Sequence, residues 1–434
     1  MDSKIIFNSS RLSWFDVDKQ KFQNELRLLG FNLIGVDEQP YLTNGYKTGP
    51  KFSFDLNETY RGFNLFDLTI YSICNELILF KNEIDIELHQ KYIHKWFNYA
   101  KAVLDDLDSK FRANSFSLVI MVNGHSLLDA CLLALSHKYN YRFLCLENTA
   151  NKSRVVWDNL TGNVVTYNLA NTFFKKHKNV LSENQALKYS DIFKNSIFKN
   201  KREEHLSNAS NKGIPFKKPF VLFIGQVYCD AAQLFALNQN FDNPIEVIRS
   251  TIKSCKELGL PIIIKLHPKE LKGKSPVLGT LYNSPTYERI KDFSCDMVYI
   301  DYLNNYNTYK LIEDSRVVVT LNSQAGLEAC LFDKPVLSYD NCFYSKNGFT
   351  YDYRDSHSLT SHLSKLISQN VNHNLNFIEA KKFYYIFFKI YCVENSTAGI
   401  LQKTLHSISL NKKMYFKSKL LIMKSLIQKI KFYK

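Results

Sequence analysis

Three short stretches carry the residue types that phosphate and sugar chemistry needs. In the first, the apolar run Arg316-Val317-Val318-Val319 leads into TLNSQAGLEACLFDKPVLSYDNCFYSKNGFT, Thr320 to Thr350. Thr320, Asn322, Ser323 and Gly326 break the β-branched run before an apolar pattern resumes with Glu328 inside it. This predicts a strand, a tight turn and a helix start. Such a start is an anion site, because the first turn leaves backbone N–H groups free and the helix dipole adds partial positive charge. The same pattern also fits a β-α unit that merely packs.

The second stretch, LPIIIKLHPKE, ends in Lys265, His267 and Pro268. Lys265 and His267 are two residues apart, so on a continuing strand both point to one face and reach one phosphate. Lysine supplies a fixed cation, and histidine donates a hydrogen bond or a proton to a leaving phosphate. The third stretch runs from Gln226 to Asp230 after the strand FVLFIGQ. A carboxylate such as Asp230 acts as nucleophile or base when it sits beside a breaking sugar bond. Before Ala-Ala-Gln it serves equally well as a helix cap, and the residues alone leave both roles open.

A fourth group lies earlier. SFSLVIMVNG reads as a strand ending at Asn123-Gly124, residues 126–137 as a helix, and YRFLCLEN as a strand ending at Glu147. Strand, helix, strand at this spacing is a βαβ unit with a parallel sheet, which places Asn123, His125 and Glu147 on one rim. A carboxylate there suits general acid/base work or the capping of a loop. Asp16-Val17-Asp18 and Asp106-Leu107-Asp108 resemble metal-holding triplets but are assigned to solvated surface.

The elements that must position these residues form two alternating α/β stretches. Phe31 to Val36 is a short strand, Leu65 to Phe80 is apolar enough to be buried, and Trp96 to Leu107 is an amphipathic helix. The polar stretch NKREEHLSNASNKGIPFKKP, residues 200–219, reads as a linker. Beyond it, strands alternate with helices at about Pro244 to Leu258 and Tyr306 to Glu313. The expected organisation is an N-terminal acceptor-side domain over 1–199, the linker, a donor-binding domain over 220–370, and C-terminal helices over 371–434. Two Rossmann-like α/β domains in tandem describe a GT-B-like architecture.

Composition is that of a folded protein: 434 residues, 45% hydrophobic and 22% charged. The net charge of +15 predicts attraction to something anionic. Part of it sits at the end, where Lys412, Lys413, Lys417, Lys419, Lys424, Lys429, Lys431 and Lys434 occur with no acidic residue. Phe416, Leu420, Met423, Ile427 and Ile430 share one helical face there, so 411–434 is expected to lie as a basic amphipathic helix on an anionic inner-membrane surface. Packing of that face against the protein is the alternative. Nine singly spaced cysteines fit a reducing compartment. The N-terminus lacks the apolar region of a signal peptide, and no run approaches the roughly twenty apolar residues of a membrane span. The expected location is cytoplasmic and peripheral to the inner membrane, with no nucleic acid partner.

GQVYCDAAQ, KLHPKE and the stretch from Thr320 to Thr350 resemble, in order and spacing, the motifs of the bacterial capsule and lipopolysaccharide β-Kdo transferases. That family shows Gly-Gln-x-x-x-Asp, Lys-x-His-Pro, a Thr/Ser-rich turn into Gly-x-Glu-Ala, then Gly-Lys-Pro-Val and Phe-Tyr-x-x-x-Gly-Leu-Thr. The resemblance implies a retaining glycosyltransferase that moves Kdo, or a related acidic sugar, from CMP-Kdo to a glycan or glycolipid acceptor. It makes Asp230 the nucleophile, Glu147 an acid/base and His267 a catalytic group. Gln226, Lys265, His267, Pro268, Thr320, Asn322, Ser323 and Gly326 would hold the donor, with Glu328 near the nucleoside and Asn123 and His125 on the acceptor side. No metal or other cofactor is implied, because one phosphate leaves and lysine, histidine and a helix start can neutralise it. Three positions depart from the family pattern: Asp333 replaces the glycine before Lys-Pro-Val, Asn148-Thr149 lacks the glycine after the glutamate, and Ala231-Ala232 stands where a small residue and serine are usual. Two other functions are compatible with the residues: a GT-B enzyme with another nucleotide donor, such as a polyol-phosphate transferase or a sugar epimerase, and a non-catalytic basic adaptor at the membrane.

Overall fold

The computed structural model describes residues 3–43, 55–149, 153–162, 168–192, 195, 214–216, 219–237, 240–270, 273–274, 281–282, 284–368 and 377–408. The tail expected over 411–434 lies outside them, as does most of the linker over 200–219. The chain divides into two units, one from the described residues among 1–73, 86–167 and 391–434, the other from those among 74–85 and 168–390. Each is an α/β unit of Rossmann-like type, the class expected, and helices Phe377–Tyr385 and Thr397–Ile408 end the described chain.

The first unit contains β1 (Ser3–Asn8), β2 (Phe31–Val36), β3 (Phe116–Val122), β4 (Phe143–Asn148) and β5 (Arg154–Asp158). Their order across the sheet is β2-β1-β3-β4-β5, completed by the short strand Val393–Glu394 beside β5. β2, β1, β3 and β4 are parallel, and β5 is antiparallel to β4. Helix α1 (Lys19–Leu28) starts at Asp18, whose carboxylate accepts from Lys21 N at 3.0 Å. The predicted amphipathic helix is the middle of α2 (Ile86–Ala113), and the predicted crossover helix is α3 (Leu127–Lys138). Strand β3 is buried from Leu118 to Val122, as a parallel strand covered on both faces must be.

The second unit contains β6 (Val221–Ile224), β7 (Ile262–Lys265), β8 (Val298–Asp301), β9 (Val317–Thr320), β10 (Val336–Tyr339) and β11 (Tyr351–Tyr353). All six are parallel in the order β8-β7-β6-β9-β10-β11. In sequence terms this is 3-2-1-4-5-6, the dinucleotide-fold order, which reverses direction between β6 and β9. Ile262, Ile263, Ile264, Val317, Val318 and Val319 have no exposed surface. β-branched side chains suit that site because they fill both faces of a pleated strand.

The units are not consecutive in sequence, whereas the expectation was of consecutive stretches over 1–199, 220–370 and 371–434. The C-terminal segment belongs with the first unit because Val393–Glu394 pairs with β5 and the helix Thr397–Ile408 packs on α1. Residues from 168 belong with the second: Asn347 Nδ2 donates to Asn171 Oδ1 at 2.7 Å, and the Phe174 ring meets Phe383 at 5.1 Å. A second correction concerns the Asp triplets. Asp108 is not solvated surface; it is fully buried beneath Arg61, Arg112 and Lys138.

Lys403, on the C-terminal helix, is 7% exposed with its ammonium 2.8 Å from the Trp157 ring centroid. Burial lowers it from 10.5 to about 7. Between those values the unfolded chain keeps the proton and the folded chain releases it, so stability rises with pH across that window. Lys403→Met is expected to abolish the rise and to stabilise the protein at pH 6 by about 1–4 kcal/mol. Denaturant midpoints at pH 6 and 9 check both outcomes.

Candidate functional site

In an open α/β sheet the ligand crevice lies beyond the strand carboxyl ends, where the strand order reverses. In the second unit those ends are Gly225-Gln226 after β6 and Leu321-Asn322-Ser323 after β9. The two are joined tightly. Thr320 Oγ1 donates to Ile224 O at 3.0 Å, and Gln226 Oε1 accepts from Asn322 N at 3.0 Å. Thr320 has no exposed surface, so its hydroxyl is committed to holding the strands together. A crevice opens beside them, lined in part by Gly225, Gln226, Gln233, Thr286 and Leu321.

Ser323 is the cap of helix α4 (Gln324–Leu331), its hydroxyl accepting from Ala325 N at 3.3 Å. Asn322 turns inward, and its Oδ1 accepts from Phe343 N at 3.3 Å. Gly326 is required by space: a Cβ there would lie 2.1 Å from the Tyr344 hydroxyl oxygen and 2.7 Å from Thr320 Cγ2. Tyr344 OH itself donates to Ser323 O at 2.9 Å. Glu328 is buried and accepts from Tyr309 OH at 2.8 Å, an arrangement that, with burial, pushes the phenol well above its ordinary range. After α4, Asp333 adopts φ 55°, a left-handed conformation that glycine takes without strain. The glycine usual there in the resembling family is thus a backbone requirement, which this chain meets with an aspartate that pairs with Lys381 at 2.9 Å.

The Lys265 and His267 side chains do not act as a simple pair. Lys265, 2% exposed, donates to Asp301 Oδ2 at 2.6 Å and to Asn304 Oδ1. Burial lowers its pKa while Asp301 raises it. Its charge is engaged within the sheet, at the ends of β7 and β8. His267 is half-buried, and its Nδ1 accepts from Lys269 N at 3.1 Å. That bond assigns the proton of the neutral ring to Nε2. Pro268 opens the turn Pro268–Glu270 that follows.

Asp230 is a helix cap: its Oδ1 accepts from Ala232 N at 3.2 Å at the start of Ala231–Ala236. Both readings of the residue survive, because the cap uses one oxygen and the residue keeps exposed surface. Burial raises its carboxyl above the ordinary aspartate range, opposed by the Ala232 N–H and Lys269.

Glu270, the last residue of KLHPKE, has the role that sequence reasoning missed. It is 1% exposed and accepts from Tyr228 N at 2.7 Å, Ser284 Oγ at 2.7 Å, and Thr286 Oγ1 at 2.9 Å. Burial raises its carboxyl and those donors oppose the shift. The segment Gln226 to Asp230 is therefore anchored through Tyr228, whose buried ring also lies under Arg289 at 4.3 Å. A glutamate one turn beyond a His-Pro pair was the only available signal.

In the first unit the order 2-1-3-4-5 puts the reversal between β1 and β3. Asn123 and Gly124 follow β3 with φ 56° and 76°, and Asn123 Oδ1 accepts from His125 N at 3.0 Å. His125 is 8% exposed and its ring lies 6.1 Å from that of Tyr71. Asp129, unnoticed in the sequence, holds this rim. Fully buried, it accepts from Asn8 Nδ2 and Ser126 Oγ, each at 2.8 Å, and burial lifts it to about 6. Glu147 lies within β4 opposite Val156, its Oε1 accepting from Asn148 N at 3.0 Å.

Gly326→Ala is expected to destabilise the chain by about 1–3 kcal/mol, through overpacking against Tyr344. In the Tyr344→Phe background the loss should be smaller, because the nearest atom is removed. Urea midpoints of the two single variants and the double variant measure the coupling.

Residues 150–375 match the family model described as capsule polysaccharide biosynthesis protein. No curated protein matches the chain. Among solved structures, the Thermosulfurimonas dismutans KpsC β-Kdo 2,4 transferase is similar at 15% identity and a TM-score of 0.45, over 68% of this chain and 88% of that one. The β-Kdo 2,7 transferase of the same protein is similar at 17% identity and 0.40, over 67% and 81%. A UDP-GlcNAc 2-epimerase from Methanocaldococcus jannaschii is similar at 12% identity and 0.35, over 89% and 99%. The family model spans more than half of the 434 residues and takes in the whole sheet of the second unit, from β6 to β11, together with the loops that carry Asp230, His267 and Ser323: the chain belongs to the capsule polysaccharide biosynthesis protein family.

Proposed function

We propose that the chain is a glycosyltransferase of surface-polysaccharide assembly that transfers Kdo, or a related acidic sugar, from CMP-Kdo to a glycan or glycolipid acceptor with retention. One observation carries the proposal: the motifs that resemble the β-Kdo transferases lie at the carboxyl ends of β6, β7 and β9 in a 3-2-1-4-5-6 sheet. In sheets of this order those ends bind the phosphate of a nucleotide.

In this reading the Asp230 carboxylate attacks the anomeric carbon as the bond to the CMP phosphate breaks. The phosphate oxygen takes the bonding pair and meets the Nε2–H of His267 and the donors around Ser323. An acceptor hydroxyl, its proton passing to Glu147, then attacks the same carbon and releases Asp230. Two inversions give retention. Gln226 and Asn322 shape the donor pocket, Pro268 directs the chain after His267, and Gly326 lets α4 approach closely. Lys265 and Thr320 act from beneath: the cation, paired with Asp301, fixes the ends of β7 and β8, and the hydroxyl fixes those of β6 and β9. Glu328 lines the nucleoside side, and Asn123 and His125 belong to the acceptor side. A single phosphate leaves, so the reaction proposed calls on no metal.

The basic segment 411–434 would hold the enzyme at the cytoplasmic face of the inner membrane. Among the described residues no helix is long and apolar enough to cross a membrane.

Incubation of the purified chain with CMP-Kdo and acceptor should release CMP and yield a β-linked product. Asp230→Ala is expected to lower turnover at least about 1,000-fold while CMP still raises the melting temperature, since a ligand of the folded state stabilises it whether or not chemistry follows. Absence of both CMP release and transfer from a folded protein would sink the proposal. A larger thermal shift with UDP or GDP than with CMP would reassign the donor. Removing 411–434 should free the protein from anionic vesicles without loss of transfer to a short soluble acceptor.

A further inference from the structure

The first unit carries a cationic edge that the proposed chemistry does not use. Asp108 sits beneath it, fully buried, with Arg61 Nη1 and Arg112 Nη2 each 2.9 Å from Oδ2 and Lys138 Nζ 3.2 Å from Oδ1. Tyr139 OH donates to the same carboxylate at 2.8 Å and accepts from Arg112 Nε at 3.2 Å. The Tyr139 ring stacks on Tyr141, and Tyr141 OH donates to Asn114 O at 2.9 Å. Asn114 Oδ1 in turn accepts from Lys4 Nζ at 2.6 Å. Beside Tyr141, Arg142 Nη1 donates to Ile408 O at 3.0 Å. Lys4, Arg61, Arg112, Lys138 and Arg142 thus form one connected edge whose partner carboxylates are the buried Asp108 and the exposed Asp105, which pairs with Arg61.

Position and chain direction add to the charge. Lys4, Asn114 and Arg142 stand at the beginnings of β1, β3 and β4, whereas Asn123 and His125 follow the far end of β3. The edge is therefore the rim opposite the proposed acceptor residues. Ile408 is the last described residue of the C-terminal helix, and Arg142 holds its carbonyl. The 26 residues beyond it contain eight lysines, no acid, and interleaved phenylalanine, leucine and isoleucine.

We propose that this rim, Lys4, Arg61, Arg112, Lys138 and Arg142 with Tyr139 and Tyr141 among them, is a docking surface for an anionic lipid bilayer. Tyrosines with an apolar body and a polar tip suit the headgroup layer, and guanidinium groups suit lipid phosphates. A bilayer is favoured over a polynucleotide because the lysine-rich segment that starts at this rim interleaves its charges with aliphatic residues, the composition that partitions into a lipid surface. The inference rests on the reading that 411–434 meets the membrane, and adds that the folded unit meets it too. It also orients the unit, with Asn123 and His125 facing away from the lipid.

The test is sedimentation of the full-length chain with vesicles of phosphatidylcholine alone or with roughly one-third phosphatidylglycerol, a composition that carries a negative surface potential. Wild type should bind the anionic vesicles, and more weakly as salt rises. Arg112→Ala/Arg142→Ala should lower the partition coefficient about 30-fold, two basic contacts being lost. Lys253→Ala/Lys256→Ala, a charge-matched change on the second unit, should leave it within about twofold. Circular dichroism confirms that each variant is folded. An edge variant that binds like the matched control overturns the inference; if Lys424→Gln/Lys429→Gln in the same assay does lower binding, the reading of the tail still stands. Equal binding of wild type to neutral vesicles, or its preference for a single-stranded oligonucleotide over the vesicles, overturns both.

Discussion

The pairing of Val221–Ile224 with Val317–Thr320 is the constraint on which the second unit depends. These strands are about a hundred residues apart in the chain yet lie side by side, and the sheet grows outward from them in both directions. Beyond the last shared residue pair the ladder ends, and its polar groups need other partners. Thr320 and Gln226 supply them, one by a hydroxyl to Ile224 O and the other by a side-chain oxygen to Asn322 N. The turn that presents Ser323 is positioned by those two bonds together with the inward Asn322. The close approach of Gly326 to Tyr344 then brings the chain from 339 to 350 against the start of α4.

Buried charge holds the neighbouring loops in place. Lys265 with Asp301 and Glu270 with its ring of donors are both fully enclosed, and each would be costly to leave unpaired. An apolar core could hold these loops as firmly, but it would not dictate one geometry. A carboxylate that must satisfy Tyr228, Ser284 and Thr286 together allows one. The consequence falls on Asp230, two residues past Tyr228, which is held at the start of its short helix with its carboxyl already raised by burial.

The first unit repeats the principle with different residues. Asp129 gathers Asn8 and Ser126 at the carboxyl ends of β1 and β3, while Asp108 gathers three cations and a tyrosine at the opposite end of the same layer. One buried carboxylate thus organises each rim. Neither is recognisable from neighbours in sequence alone, since beside the nearby Arg112 and Ser126 their other named partners come from 30 to 121 residues away.

What the sequence determined by itself was local. The apolar, largely β-branched runs at 221–224, 262–265 and 317–320 suit strands, and their endings in Gln226, His267 and Ser323 mark the rim because parallel strands share one direction. The cap role of Asp230 was equally legible as one of two readings, since a short polar side chain before a helical pattern commonly caps it. Only the tertiary structure decided which partner each polar residue takes. Lys265 and His267 share a strand face by spacing, yet Asp301 from a neighbouring strand engages the lysine, while the Lys269 N–H engages the histidine Nδ1. Residues 391–408 rejoin the first unit for a similar reason: the edge of β5 needs a hydrogen-bonding partner, and Val393–Glu394 supplies it across more than 200 residues of chain. Hydrogen-bond satisfaction is settled between distant segments, and a linear pattern carries no record of it.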